Sequence, residues 1–190
     1  MAQNLLKRLH LRAPLFSDVL YEDGDYAFKA QTLNISEGEV LLTKLPHVPE
    51  IGSIPMMIGL PQFPYLSTMQ VQKVLELDFE KLPRQMIRLR ARMVRQMENM
   101  TAVEKIFVTM IGLEFVSNSE ETISIIKNYV ECYAKNTIYL LTLFESRSSK
   151  GGDQLQLLRH ASSLMGYDST QKVALLRQKI LHDYQSLESL

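Results

Sequence analysis

The stretch MIRLRARMVR, Met86–Arg95, decides how the chain is read. Ile87, Leu89, Ala91 and Met93 alternate with Arg88, Arg90 and Arg92. A period of two puts the apolar set on one face and the arginines on the other, as in a strand with one buried side. A helix would mix both sets around its circumference. On the N-terminal side, Leu15–Tyr21 and Val40–Thr43 are short and apolar, and Tyr26–Leu33 alternates imperfectly. EDGD, Glu22–Asp25, and NISEGE, Asn34–Glu39, separate these runs as turns. Between Pro46 and Pro64 there are five prolines, so a strand there is short or at an edge, with Ile54–Leu60 the best candidate. Val71–Phe79 alternates through Val71, Lys73, Leu75, Leu77 and Phe79 and reads as a strand. Ile106–Val116 reads as the last strand, with Gly112 at a bulge. Six or seven short strands predict a small barrel or sandwich.

The period changes after Val116. Ser119 followed by Glu120 and Glu121 is a helix start. Ile123, Ile126, Val130, Tyr133, Thr137, Leu140 and Phe144 then follow heptad spacing. SRSSKGGD, Ser146–Asp153, breaks this helix. Leu155, Leu158, Ala161 and Met165 mark a second helix stopped by Gly166, and Asp168 or Ser169 caps a third carrying Val173, Leu176, Ile180, Tyr184 and Leu187. The predicted organisation is a β domain over 5–118 and a three-helix extension over 119–190. The apolar stripe of helix 119–146 is wide enough to dock on the barrel or to pair with a second chain, and homo-oligomerisation through it is the favoured expectation.

The 190 residues are 46% hydrophobic and 22% charged, which suits a folded domain of ordinary composition, and the formal net charge is zero. A protein that coats DNA or RNA carries a basic excess, so no DNA partner is expected. Cys132 is the single cysteine, which excludes an intramolecular disulfide. No run approaches the ~18 apolar residues of a membrane span, and the N-terminal stretch lacks a signal-peptide core, so the cytoplasm is the expected setting. His10, His47, His160 and His182 lack metal-ligand spacing, and neither common phosphate-binding glycine loop is present. No metal, cofactor or catalytic residue is predicted, and the chain is not read as an enzyme.

The remaining chemistry lies in cations and a turn. Arg8 and Arg12 stand four residues apart, with Lys7 beside them, ahead of the first strand. A guanidinium fork matches two acceptors in one plane, such as a guanine edge or phosphate oxygens. Asn34 adds a donor and an acceptor, Ser36 a hydroxyl, and Gly38 a close backbone approach. Arginines near a terminus are also often merely solvated, and Asn and Ser often serve their own turn. Arg88, Arg90 and Arg92 read first as an exposed strand face, with Arg90 or Arg92 a weaker candidate for the same pocket.

Arg8-Leu9-His10-Leu11-Arg12, then Ala13-Pro14-Leu15, then Asn34-Ile35-Ser36 resemble the PilZ family, whose pattern is RxxxR followed by D/N-x-S-x-x-G on a small β-barrel. Arg90–Arg95 and Ile111–Phe115 resemble its late strands. The resemblance covers roughly residues 5 to 130. It implies a small six- to seven-stranded antiparallel barrel, here followed by helices, that binds cyclic di-GMP. Arg8 and Arg12 would hold guanine edges and phosphates, Asn34 and Ser36 a guanine, with Lys7 and Gly38 alongside. It also implies a signal passed to a protein partner by a change of shape, in processes such as motility. Arg8 and Arg12 would have to be free of internal salt links in the empty protein. There are two departures: Glu39 stands at the motif's last glycine, and Pro61–Pro83 exceeds what the family core needs. A carboxylate there would repel an anionic ligand, which keeps open a second reading: an adaptor of the same fold that binds no nucleotide and acts through its helices.

Overall fold

The computed structural model describes residues 10–49, 52–100, 107–146 and 152–188. The chain divides into two compact units, one formed by Arg12–Pro61 with Arg84–Val130, the other containing Gln62–Pro83 and the chain from Glu131 onward. Helix α2, Glu120–Glu145, begins in the first unit and ends in the second.

The first unit is a closed antiparallel barrel. Strands β2 (Asp18–Asp23), β3 (Tyr26–Ser36), β4 (Glu39–Thr43), β5 (Ile54–Pro61), β6 (Arg84–Met100) and β7 (Phe107–Phe115) pair in the order β3-β2-β5-β6-β7-β4, and β4 returns to β3. A seventh strand, β1 (Arg12–Pro14), extends the β2 side of β3. The expected barrel is therefore present, and closure removes the open edges a flat sheet would leave. The alternation in Met86–Arg95 holds for most of its length: Ile87, Leu89 and Ala91 are buried, while Arg88, Arg90 and Arg92 are exposed. Ile35, Leu42, Ile54, Ile58, Ile111 and Leu113 complete the core from four other strands.

The first strand run differs from the expected Leu15–Tyr21. The chain pairs earlier, at Arg12–Pro14, and breaks at 15–17 before β2. A local hydrogen-bond set fixes the break. The Ser17 amide donates to Thr32 Oγ1 at 2.9 Å, the Thr32 amide to the Ser17 carbonyl at 2.9 Å, and the Ser17 hydroxyl to the Gly59 carbonyl at 2.8 Å. Side chains thus satisfy groups that the ladder leaves open. EDGD closes a two-residue hairpin in which Gly24 takes φ +62°, a conformation that suits glycine.

The second unit corrects the strand expected at Val71–Phe79. This segment forms a short helix α1, Val71–Leu75, and a 3-10 turn at Phe79–Lys81. Val74 is its one fully buried residue, and it lies off the alternating face, whose members Val71 and Lys73 are exposed. The whole stretch 62–83 is an insertion between strand partners Pro61 and Arg84. Buried Asn136 holds it: its Oδ1 accepts the Leu66 amide at 2.9 Å and its Nδ2 donates to the Pro64 carbonyl at 2.9 Å. The Cys132 thiol donates to the Phe63 carbonyl at 3.2 Å. Helices α3 (Gly152–Leu164) and α4 (Val173–Glu188) follow, with Gly166 at φ +83° after α3. Asp168 accepts from the Thr170 amide in a turn, so α4 starts later than the cap expected at 168 or 169. Of the heptad set, Ile126, Val130, Tyr133, Thr137, Leu140 and Phe144 are all buried within this single chain. The stripe therefore serves packing here.

Two measurements check this packing. Ile58→Ala should lower unfolding free energy by roughly 2–5 kcal/mol in a denaturant titration, with an unchanged slope. In the second unit the Tyr133 hydroxyl donates to the Met165 carbonyl at 3.3 Å and lies 3.5 Å from that of Tyr167. Burial pushes both phenols far above the usual tyrosine value. Their contribution to stability is complete below the unfolded value of about 10 and is lost as pH rises through the higher folded values. Absorbance titration should show these two among the eight tyrosines ionising only with alkaline unfolding.

Candidate functional site

Two bulges decide which side chains face outward at one end of the barrel. In β3 the pairing with β4 shifts between Thr32 and Asn34, so Leu33 is an extra residue. Thr32 and Ile35 are both buried, and the shift gives Asn34 and Ser36 the outward parity, Asn34 half-buried and Ser36 covered. In β6 the pairing with β7 shifts between Met93 and Arg95, leaving Val94 as the extra residue. Arg95 thereby joins Arg92 outside. The bulge expected at Gly112 belongs to this partner strand. A Cβ on Gly112 would stand 2.6 Å from Arg95 Nε and 2.7 Å from its Cγ, so glycine is what lets the Arg95 stem cross.

The register assembles the outer face into two rows. One runs Pro14, Asn34, Leu41, Gly112, Arg95. In the other, Arg12 pairs with Ser36, and across the Glu37-Gly38 turn Glu39 pairs with Glu114, which pairs with Arg92. Two carboxylates directly opposite one another are unfavourable. Cations compensate. Arg12 forms an ion pair with Glu39, Arg95 approaches the same carboxylate at 3.7 Å, and Arg92 meets Glu114 at 2.7 Å. Three arginines and two glutamates leave this patch one positive charge in excess.

Among the solved structures similar to the chain are three. One is the inhibitor of motility MotI/DgrA of Bacillus subtilis, with 14% identity and a TM-score of 0.49 over 67% of this chain and 50% of that one. Another is the PilZ domain of YcgR from Escherichia coli with c-di-GMP, with 11% identity and a TM-score of 0.44 over 66% and 89%. The third is PlzA of Borreliella burgdorferi in complex with c-di-GMP, with 11% identity and a TM-score of 0.38 over 74% and 54%. PilZ, the family that the sequence resembles, is thus named among them. This chain spans only about half the length of MotI/DgrA and of PlzA. No family model and no curated protein matches it.

Of the residues singled out in the sequence, Arg12, Asn34, Ser36 and Gly38 fall together on strands β1, β3 and the turn after it. Lys7 and Arg8 lie outside the described residues. Arg12 is not free: Glu39, at the motif's glycine position, holds it. Ser36 has a local job, since its hydroxyl accepts the Glu39 amide at 3.0 Å and donates to the Glu39 carbonyl at 3.3 Å. The Gly38 carbonyl accepts the Phe115 amide at 2.8 Å, which ties the turn to β7. The Tyr129 hydroxyl donates to the Pro14 carbonyl at 2.7 Å, which joins the first part of α2 to β1. Arg95 and Glu114 were not singled out by sequence. Their signal, an acid or base beside a bulge, exists only once the register is known.

Because Ser36 is buried and closes the turn, Ser36→Ala should lower stability by about 1–2 kcal/mol, read as a fall in melting temperature, even without any ligand.

Proposed function

We propose that this protein is a non-catalytic receptor for cyclic di-GMP, binding at the outer face where β1 meets β3 and signalling to a protein partner by a change of shape. One observation carries the reading: β1 pairs with β3 so that Arg12 lies opposite Ser36 and Pro14 opposite Asn34. Two motif halves more than twenty residues apart in sequence are neighbours across one ladder. Asn34 offers a guanine a donor and an acceptor, and Arg12 offers a planar cation to a guanine edge or a phosphate. Arg8 and Lys7 belong to the proposed site by the resemblance alone, and Gly38 contributes by shaping the turn.

Glu39 sets the terms of binding. Its pair with Arg12 is partly exposed, with side chains 21% and 36% accessible, and such pairs contribute roughly 0–1 kcal/mol. Each charge-assisted hydrogen bond that a phosphate makes beyond the one to Arg12 contributes about 1.5–3 kcal/mol. A phosphate can therefore displace the carboxylate, at a loss in affinity.

The Arg12–Glu39 pair also favours a second reading, an adaptor of the same fold that binds no nucleotide. Calorimetry with cyclic di-GMP, with GTP as control, separates the two. A receptor gives saturable heat with cyclic di-GMP only, a loss of tenfold or more in Arg12→Ala, and a several-fold gain in Glu39→Gly. Silence in both the natural protein and Glu39→Gly would leave the adaptor. Binding by Glu39→Gly alone would mark a site that the glutamate has closed.

A further inference from the structure

A second outward face of the barrel, away from Arg12 and Ser36 along β3, carries a cavity of about 670 Å³. Cross-strand pairing lays out its floor: Leu20 lies opposite Met57, Met57 opposite Arg88, and Pro55 opposite Arg90. Leu20 is 47% exposed although it is a leucine in the middle of a strand. The first turn of α2 and the residues before it form the wall, through Ser117, Asn118, Ser119 and Thr122. Asn118 fixes that wall to the sheet. The Arg90 amide donates to its Oδ1 at 2.8 Å and its Nδ2 donates to the Arg90 carbonyl at 2.9 Å, while Ser117 at φ +54° turns the chain into position.

The charges around this floor are not used up internally. Neither the Arg88 nor the Arg90 guanidinium has a hydrogen-bond or ion-pair partner among the described residues. Arg92, the next outward position, is satisfied by Glu114, and Lys29 by Asp18 at 2.8 Å. The one acid lining the cavity is Glu22, on β2, with β5 between it and the arginines. Two strand spacings, about 9–10 Å of backbone separation, lie between them, and Glu22 forms no ion pair with either arginine. Arg88 and Arg90 project from the same face about 6.5–7 Å apart, the repeat of alternate residues in any extended chain.

We infer that this face is a docking groove for an extended acidic segment of a partner protein. Carboxylates on alternate residues of that segment meet Arg88 and Arg90, and its apolar residues lie on Leu20, Pro55 and Met57. Charge complementarity selects this occupant: a basic segment would face two unpaired guanidiniums, and a wholly apolar one would cover them. The groove works independently of nucleotide binding at Arg12.

The test is an amide NMR titration of the full chain with a capped peptide of alternating Asp and Leu. The same peptide with Lys for Asp, and inorganic phosphate alone, are the controls. Expected are shifts at Leu20, Met57, Arg88 and Asn118 with the acidic peptide only, weakening at higher salt. In Arg88→Glu/Arg90→Glu the apparent affinity should fall at least tenfold while resonances of the opposite face keep their positions. Arg88→Lys/Arg90→Lys, which retains the charges and the fold, should keep most of the binding. The inference fails if the natural protein shows no shifts, if the Lys peptide acts equally, or if charge reversal changes nothing. Phosphate alone reproducing the shifts would make this a small-anion site and overturn the peptide groove.

Discussion

Side-chain parity governs the chemistry of this barrel, and two extra residues set it. In a regular strand every second residue faces out, so one inserted residue reverses all that follow. Leu33 does this in β3 and Val94 in β6. Were Leu33 paired as a regular strand residue, with no bulge, Asn34 and Ser36 would share the parity of Thr32 and point into a core lined by Val40 and Leu42. Were Val94 paired regularly, Arg95 would fall opposite Ile111 and point inward. A buried, unpaired guanidinium is among the costliest groups a core can hold. Both bulges therefore do more than bend strands: they bring polar residues out of the interior at one end of the barrel.

This explains what could be read from the sequence and what could not. Alternation in Met86–Arg92 survives in the structure because no bulge falls within it, and the barrel follows from that pattern with its turns. The motif pair Arg12 with Asn34 and Ser36 was also visible, as residue types at a spacing. Their adjacency was not, because it depends on β1 pairing with the far half of β3 while β2 takes the near half. The error at Val71–Phe79 has a similar origin. Five alternating positions satisfied a strand template, yet only Val74, outside that set, is fully buried. Short apolar runs do not distinguish a turn of helix from a strand when a single side chain anchors them. Asn136 was invisible for another reason. A lone amide on a helix announces nothing until a segment such as 63–66 supplies the groups it bonds.

The two outward faces handle arginine in opposite ways. Around Glu39 and Glu114, cations and anions are interleaved and paired across β4, β7 and β6, with one positive charge in excess. Around Pro55 and Met57, Arg88 and Arg90 stand above an apolar floor without hydrogen-bond or ion-pair partners for their guanidiniums among the described residues. Both faces use β6, which has one arginine at each of three successive outward positions, 88, 90 and 92. What differs is the neighbouring strand. On one side of β6, β7 supplies Glu114; on the other, β5 supplies Pro55 and Met57.

Glu39 ties this electrostatic division back to the turn. Its backbone is held by Ser36, so the carboxylate has little freedom to leave Arg12 by moving the main chain. Release has to come from rotation of the two side chains, both partly in water. Such a pair resists an incoming anion by about the strength of a surface ion pair and no more. A glycine at this position would remove the carboxylate but leave the amide that Ser36 accepts, because that contact is with the backbone. The turn and the charge at residue 39 are separable, so the residue can control the availability of Arg12 without being needed for the shape of the barrel.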